Sequence, residues 1–269
     1  MNQIPPGASN ANADTTFEAA RQSFLSGVAY FEADQFDAAK TAFESSLALL
    51  PERASTLSNL GATHIKLGQP ALALPLLDQA VAVAPGEVDA WCHRGHALAG
   101  LGRPLDALVS FDRALTLLPG HLPALYQRSL VLCGLQRYPE ALQATGKLLA
   151  LEPANESAWW VHADVLNRLG RLNDALAAYD QLLVLNPSLA QAASQRGGLL
   201  KDLGRNAEAI RTFEQALALG GDPELNGYFL ASLASQDADA ARHPHRRLCR
   251  AVMSSPCSTT TLTSLTRTW

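Results

Sequence analysis

Five prolines stand 34 residues apart without a slip: Pro51, Pro85, Pro119, Pro153 and Pro187. Each closes an apolar run (LALLP, VAVAP, LTLLP, LALEP and LVLNP), and one further period lands on Gly221, after LALGG. Proline has no backbone N–H and cannot continue a helix, so the chain stops at the same phase of one repeating unit. A unit of this length is a single supersecondary element that cannot bury its apolar face alone. Stacking on its neighbours is what completes the core.

The interior of the unit is equally regular. Twelve residues before each stop lies an alanine: Ala39, Ala73, Ala107, Ala141, Ala175 and Ala209. Helix propensity alone does not demand Ala at one fixed phase, so a close approach of two helices is implied there. Twelve residues earlier again stand Gly27, Gly61, Gly95, Ser129, Ala163 and Gly197. Glycine inside a helix costs about 1 kcal/mol relative to Ala, and tight helix packing is the natural compensation. Four residues after the alanine come Phe43, Leu77, Phe111, Tyr179 and Phe213, with Thr145 the exception. Turn-like segments (EADQFD, KLGQP, GLGRP, GLQRY, RLGRL, DLGRN) divide each unit into helix, turn and helix.

Composition agrees with a folded, helical chain. Of 269 residues, 48% are apolar and only 6% aromatic, with Leu and Ala dominant. No apolar run approaches the ~18 residues of a membrane span, and no basic or apolar secretory leader is visible in MNQIPPGASNANADTT. The net charge is −4, yet Arg242, Arg246, Arg247, Arg250 and Arg267 are the only charges after Asp239. The rest of the chain is therefore more acidic than the total and repels phosphate backbones, which argues against nucleic acid as partner. Cys92, Cys133, Cys249 and Cys257 form no CxxC pair, and a cytoplasmic setting is the simpler expectation.

These residues resemble the tetratricopeptide repeat, a 34-residue helical hairpin. The third unit carries the pattern in Trp91, Gly95, Ala107, Phe111, Ala114 and Pro119, and the first in Gly27, Tyr30, Ala39, Phe43 and Pro51. The resemblance implies an all-α, right-handed superhelical solenoid of about six hairpins. Their expected spans are about 20–53, 54–87, 88–121, 122–155, 156–189 and 190–221. A disordered lead (1–16), a partial seventh first helix (222–235) and a disordered or out-of-frame tail (236–269) complete the expected organisation.

The family implies further that first helices line a concave groove holding a peptide or a partner's helix. One groove phase reads Asn59, His93, Gln127 and Gln195, with Val161 interrupting. Such side chains donate and accept hydrogen bonds, which suits the backbone of an extended ligand. They resemble the asparagine ladder of some tetratricopeptide superhelices. A merely solvated polar face is the other reading. Tyr126, Trp160, Asp164, Asn167 and Arg168 occupy neighbouring first-helix phases. Trp160 is either an interface anchor or a packing residue, while Trp91 and Trp159 hold the family's core aromatic phase. The carboxylate-clamp variant, which grips acidic C-termini, needs Lys and Asn where Phe24 and Val28 stand, so that binding mode is not expected.

No catalytic, cofactor-binding or metal-ligating set emerges. CHRGH places His93 and His96 a turn apart, but zinc needs three or four ligands. Phosphate loops and nucleophile elbows are missing from the sequence, so no enzyme activity and no cofactor are expected. The expected partner is a protein or peptide, with neither nucleic acid nor membrane. The tail MSSPCSTTTLTSLTRTW breaks the pattern. In the neighbouring reading frame, permissible codons for Val252–Trp269 allow YVVALFDDYADxFDxHL. That string resembles the start of the methyltransferase part of bacterial proteins joining tetratricopeptide repeats to an S-adenosylmethionine-dependent methyltransferase. GYFLASLA, 227–234, resembles the junction of that family. The alternative expectation is therefore the repeat half of such a fusion.

Overall fold

The computed structural model describes residues 8–242, with side chains from Asp14 to Ala234. Expectations for residues 1–7 of the lead and for residues 243–269 lie outside the described residues. Among those described there are thirteen helices and no strand, in two compact units divided after Leu185.

The first unit holds five helical hairpins: α1 (Ala8–Glu32) with α2 (Phe36–Leu49), α3 (Ala54–Lys66) with α4 (Pro70–Val83), α5 (Val88–Gly100) with α6 (Pro104–Leu117), α7 (Leu122–Gly134) with α8 (Tyr138–Leu151), and α9 (Glu156–Arg168) with α10 (Leu172–Leu185). Each second helix also packs on the next first helix, and α1, α3, α5, α7 and α9 touch in order. The second unit holds the hairpin of α11 (Ala190–Asp202) and α12 (Asn206–Ala218), followed by α13 (Pro223–Arg242) packed on α12.

The turn inside every hairpin is one device. Residues 34, 68, 102, 136, 170 and 204 all have positive φ, between 56° and 72°. Gln69 N–H reaches back to His64 C=O at 2.8 Å, and Arg103, Arg137, Arg171 and Arg205 do the same to residues five earlier. This bond closes a Schellman end, whose left-handed residue suits glycine. Asp34 (φ 56°) and Gln136 (φ 58°) adopt it with a Cβ, at a cost of about 1 kcal/mol. Gln136→Gly is therefore expected to stabilise the fold by roughly 0.5–1 kcal/mol, read as a higher urea midpoint at unchanged slope.

The small and large phases meet as the pattern requires. A Cβ on Gly27, Gly61 or Gly95 would stand 2.6 Å from Phe43, Leu77 or Phe111, and one on Gly197 2.7 Å from Phe213. The exceptional Thr145 has a compensating partner phase. Its hairpin carries Ser129 where others carry glycine, and both side chains are fully buried. The fifth hairpin combines Ala163 with Tyr179, also buried. In the second unit Phe213 stacks on Phe229 of α13 at 5.0 Å, and Asp222 caps α13 by accepting from Glu224 and Leu225 N–H.

Two boundaries differ from expectation. Helix α1 opens at Ala8, so residues 8–16 of the supposed disordered lead are helical. Their alanines favour helix. Helix α13 runs to Arg242 instead of 235, through QDADAAR, again a helix-forming composition.

Candidate functional site

The first-helix face of the first unit gathers most of the sequence-predicted residues, but not in one role. On α3, Asn59 is half-buried and donates its amide to Ser55 C=O at 2.8 Å, which commits one end of the side chain to its own helix. On α5, His93 Nδ1 lies 3.2 Å from Ser58 Oγ across the α3–α5 contact. Burial disfavours its charged form and drives its pKa down to about 4. Nearby Asp89 opposes that shift, while His96 and His121 add to it. His93 is thus a neutral interhelix link at pH 7. Gln127 on α7 is half-buried, and Val161 on α9 is buried in a cluster with Leu132, Val165 and the flanking Tyr126. The supposed ladder is interrupted at α9 by core packing. Gln195 sits half-buried on α11 of the second unit.

A denser constellation forms around α9. Trp160 meets Tyr179 of α10 edge to face at 5.8 Å. Asp164 Oδ1 and Arg168 Nε lie 3.6 Å apart, one turn along the same helix. Both act on Cys133 of α7: burial lifts that thiol to about 11, Asp164 lifts it further and Arg168 opposes. Tyr179 is raised by burial and feels the same two charges. Trp160, Asp164, Arg168, Cys133 and Tyr179 thus share one neighbourhood, with the half-buried Asn167 on the same helix. Cys133 and Tyr179 were missed by sequence reasoning. Tyr179 is concealed by its role as the bulky hairpin residue. Cys133 had a signal, since it stands seven residues, about two helical turns, beyond Tyr126 on the same helix.

Trp91 and Trp159 have a different task. Trp91 donates its indole N–H to Pro85 C=O at 3.0 Å, and Trp159 to Pro153 C=O at 2.8 Å. Each ties a first helix to the proline turn before it. The neighbouring thiol of Cys92 is buried and pushed up to about 12. No group of three or more His, Cys, Asp or Glu able to hold a metal occurs among the described residues. No described helix is long and apolar enough to cross a membrane.

Repeated helical hairpins stacked on their neighbours, with side chains of mixed chemistry on their first helices, define the class of helical-repeat scaffolds. Sequence profiles of the tetratricopeptide repeat match residues 58–121, 126–190 and 197–226, more than half of the chain, which belongs to that family. No curated protein matches the sequence significantly. Solved structures with the same fold include TTC0263 of Thermus thermophilus, 26% identical, covering 68% of this chain and 99% of its own, with a TM-score of 0.57. MamA of Desulfovibrio magneticus RS-1 is 23% identical over 62% of this chain and 94% of its own, with a TM-score of 0.58. YrrB, described as having an unusual peptide-binding site, is 19% identical over 70% of this chain and 96% of its own, with a TM-score of 0.62.

Proposed function

We propose that this chain is a protein-interaction scaffold that holds an extended peptide or partner segment in a groove along its first helices, centred on α7 and α9. The observation that carries this reading is the Trp160 neighbourhood. An aromatic ring, a carboxylate, a guanidinium and an amide stand together on one helix face without forming a closed internal network. Arg168 keeps half its side-chain surface exposed, and Asp164 over a third. Half-buried aromatics beside charges are the usual energetic centre of an interface. Gln127, with Tyr126 beside it, extends the surface on α7, Asn59 and His93 extend it towards α3, and Gln195 offers the same amide chemistry in the second unit. The peptide-binding site named for YrrB, a structure of the same fold, is consistent with this use.

Peptides selected from a random display library against the whole protein test the proposal. Trp160→Ala is expected to weaken selected peptides at least tenfold, about 1.4 kcal/mol or more, and Asn59→Ala/Gln127→Ala to weaken them less. Calorimetric titration showing unchanged affinity in both variants would remove the groove assignment. A second reading, the repeat half of a methyltransferase fusion, draws on GYFLASLA and the out-of-frame string. Resequencing the gene across the codons for 235–252 decides that one.

A further inference from the structure

Arginine clips two successive joints of the first unit and is missing from the next. Arg94 on α5 donates Nε to Asp78 on α4 at 2.6 Å and Nη1 to Ser110 on α6 at 2.8 Å. One period later Arg128 on α7 repeats the bond to Asp112 on α6 at 2.7 Å. At the α8–α9 joint the phases of the arginine, the aspartate and the serine carry His162, Gly146 and Ala178, and the phase of Val109 carries Ala177. All four side chains are shorter than those they match. An open cavity of about 360 Å³ lies beside them, among α8, α9 and α10. Positions 159, 162 and 166, which line it, lie on the face of α9 opposite Trp160, Asp164 and Arg168, so the cavity is separate from the groove.

The lining is apolar, neutral in sum and short of one hydrogen-bond partner. Trp159, Leu142, Leu166, Ala177 and Ala178 supply the apolar walls. The two charged residues answer each other, since Arg171 donates Nε to Asp174 Oδ2 at 2.7 Å and brings Nη2 within 2.6 Å of the same oxygen. Burial lowers the His162 pKa and the Arg171 charge lowers it further against Asp174, so the imidazole is neutral at pH 7. Its Nδ1 is held by Thr145 Oγ1 at 2.8 Å, while Nε2 has no partner among the described residues. Nor is Nε2 buried, because the buried side-chain atoms without a partner belong to Arg53, Thr56 and Asn226 among the described residues. The ring thus offers one accessible, uncommitted nitrogen beside the cavity that it lines.

We propose that this cavity is a docking site for a tyrosine side chain of a partner polypeptide, its ring against Trp159 and the leucines and its hydroxyl on His162 Nε2. A charged side chain gains little there, because both signs in the lining are already paired. The apolar walls call for an apolar body, and an aromatic one adds an edge or offset contact with the indole. The nitrogen calls for a polar tip. Thr145 has one hydroxyl proton, which goes either to Ala141 C=O, 3.1 Å away, or to Nδ1. In the first case Nε2 is a bare acceptor, and in the second it is an N–H donor. A phenolic hydroxyl donates and accepts, so it answers both. A leucine or phenylalanine would fill the walls and cut Nε2 off from water without replacing the bond. A serine would reach the nitrogen and leave the walls bare.

The test uses the whole protein and three capped amino acids, N-acetyl-tyrosinamide, N-acetyl-phenylalaninamide and N-acetyl-leucinamide. Binding is followed by NMR at the Trp159 indole N–H and the His162 ring nitrogens, assigned by their loss in Trp159→Phe and His162→Phe. The tyrosine ligand is expected to give a saturable shift at both groups with Kd in the millimolar range. The other two are expected to bind at least about fivefold more weakly and to leave His162 Nε2 unmoved. Ala177→Leu closes the cavity from an exposed position where the third repeat carries Val109, and is expected to abolish the response at an unchanged melting temperature. His162→Phe is expected to bring the tyrosine ligand down to the affinity of the phenylalanine ligand. Should a variant misfold, the three ligands compared on the wild-type protein still decide the matter. Absence of saturation by about 20 mM, equal binding of the phenylalanine ligand, or full binding by a folded Ala177→Leu or His162→Phe protein would overturn the proposal. Binding of p-cresol without binding of the capped tyrosine would overturn it too, since the site would then take a free phenol.

Discussion

Gly95→Val is expected to unfold the first unit at a urea concentration far below the wild-type midpoint, with a loss of roughly 3 kcal/mol or more. The reason is local. The Phe111 ring is fully buried, and a Cβ on residue 95 would already stand 2.6 Å from its nearest ring carbon. A branched side chain must push the ring into the α5–α6 interface, where Leu98, Ala107 and Ala114 leave it no free volume. The fourth repeat contains its own remedy, since Ser129 and Thr145 fill the corresponding space from the other direction. Gly95→Ser/Phe111→Thr is thus expected to be less damaging than the sum of Gly95→Ser and Phe111→Thr measured singly. A double-mutant cycle by urea denaturation checks it, and strict additivity would show that the two phases do not share one space.

The second large effect is an acid one. His93 has its pKa pushed down to about 4 by burial, whereas in the unfolded chain it titrates near 6.5. Between those values the unfolded chain binds a proton that the folded chain refuses, so stability is full above about pH 6.5 and falls as pH drops towards 4. The nominal loss at this one imidazole is roughly 3 kcal/mol. His96, half-buried with the Lys66 charge acting on it, and His162 are lowered too and act in the same direction. The urea midpoint is expected to fall from pH 7 to pH 5, and His93→Gln to flatten that slope. Glutamine is the residue its own phase carries at 127 and 195, so the substitution keeps a neutral hydrogen-bonding group at the α3–α5 contact. An identical pH profile in the variant would assign acid sensitivity to other groups.

The hairpin architecture was legible because steric rules repeat at fixed phases. Proline stops, the small residue under the bulky ring and the turn segments each recur, and each has one geometric meaning. Thr145 looked like an exception only because its compensation, Ser129, lies sixteen residues away on the facing helix. The helical residues 8–16 were less legible, since alanine-rich polar sequence suits both a disordered lead and a helix. The site was harder still. The ladder phase identifies a helix face, yet whether a side chain there meets solvent or a neighbour depends on the adjacent repeat. His93 is claimed by Ser58, and Val161 by the core around Tyr126. The clips of Arg94 and Arg128 were readable in principle, as arginines one period apart, each sixteen residues after an aspartate. Their loss at 162 and 146 shows only once that spacing is known to be a contact.

Every substantial helix pairing in the first unit joins elements that are adjacent in the chain or one hairpin apart. A growing chain can therefore complete each hairpin soon after it leaves the ribosome, without waiting for distant sequence to be made. The entropy of closing each contact stays the same however many hairpins have come before. Synthesis itself then becomes an ordered assembly line, in which each finished hairpin presents the next with a ready surface to settle on.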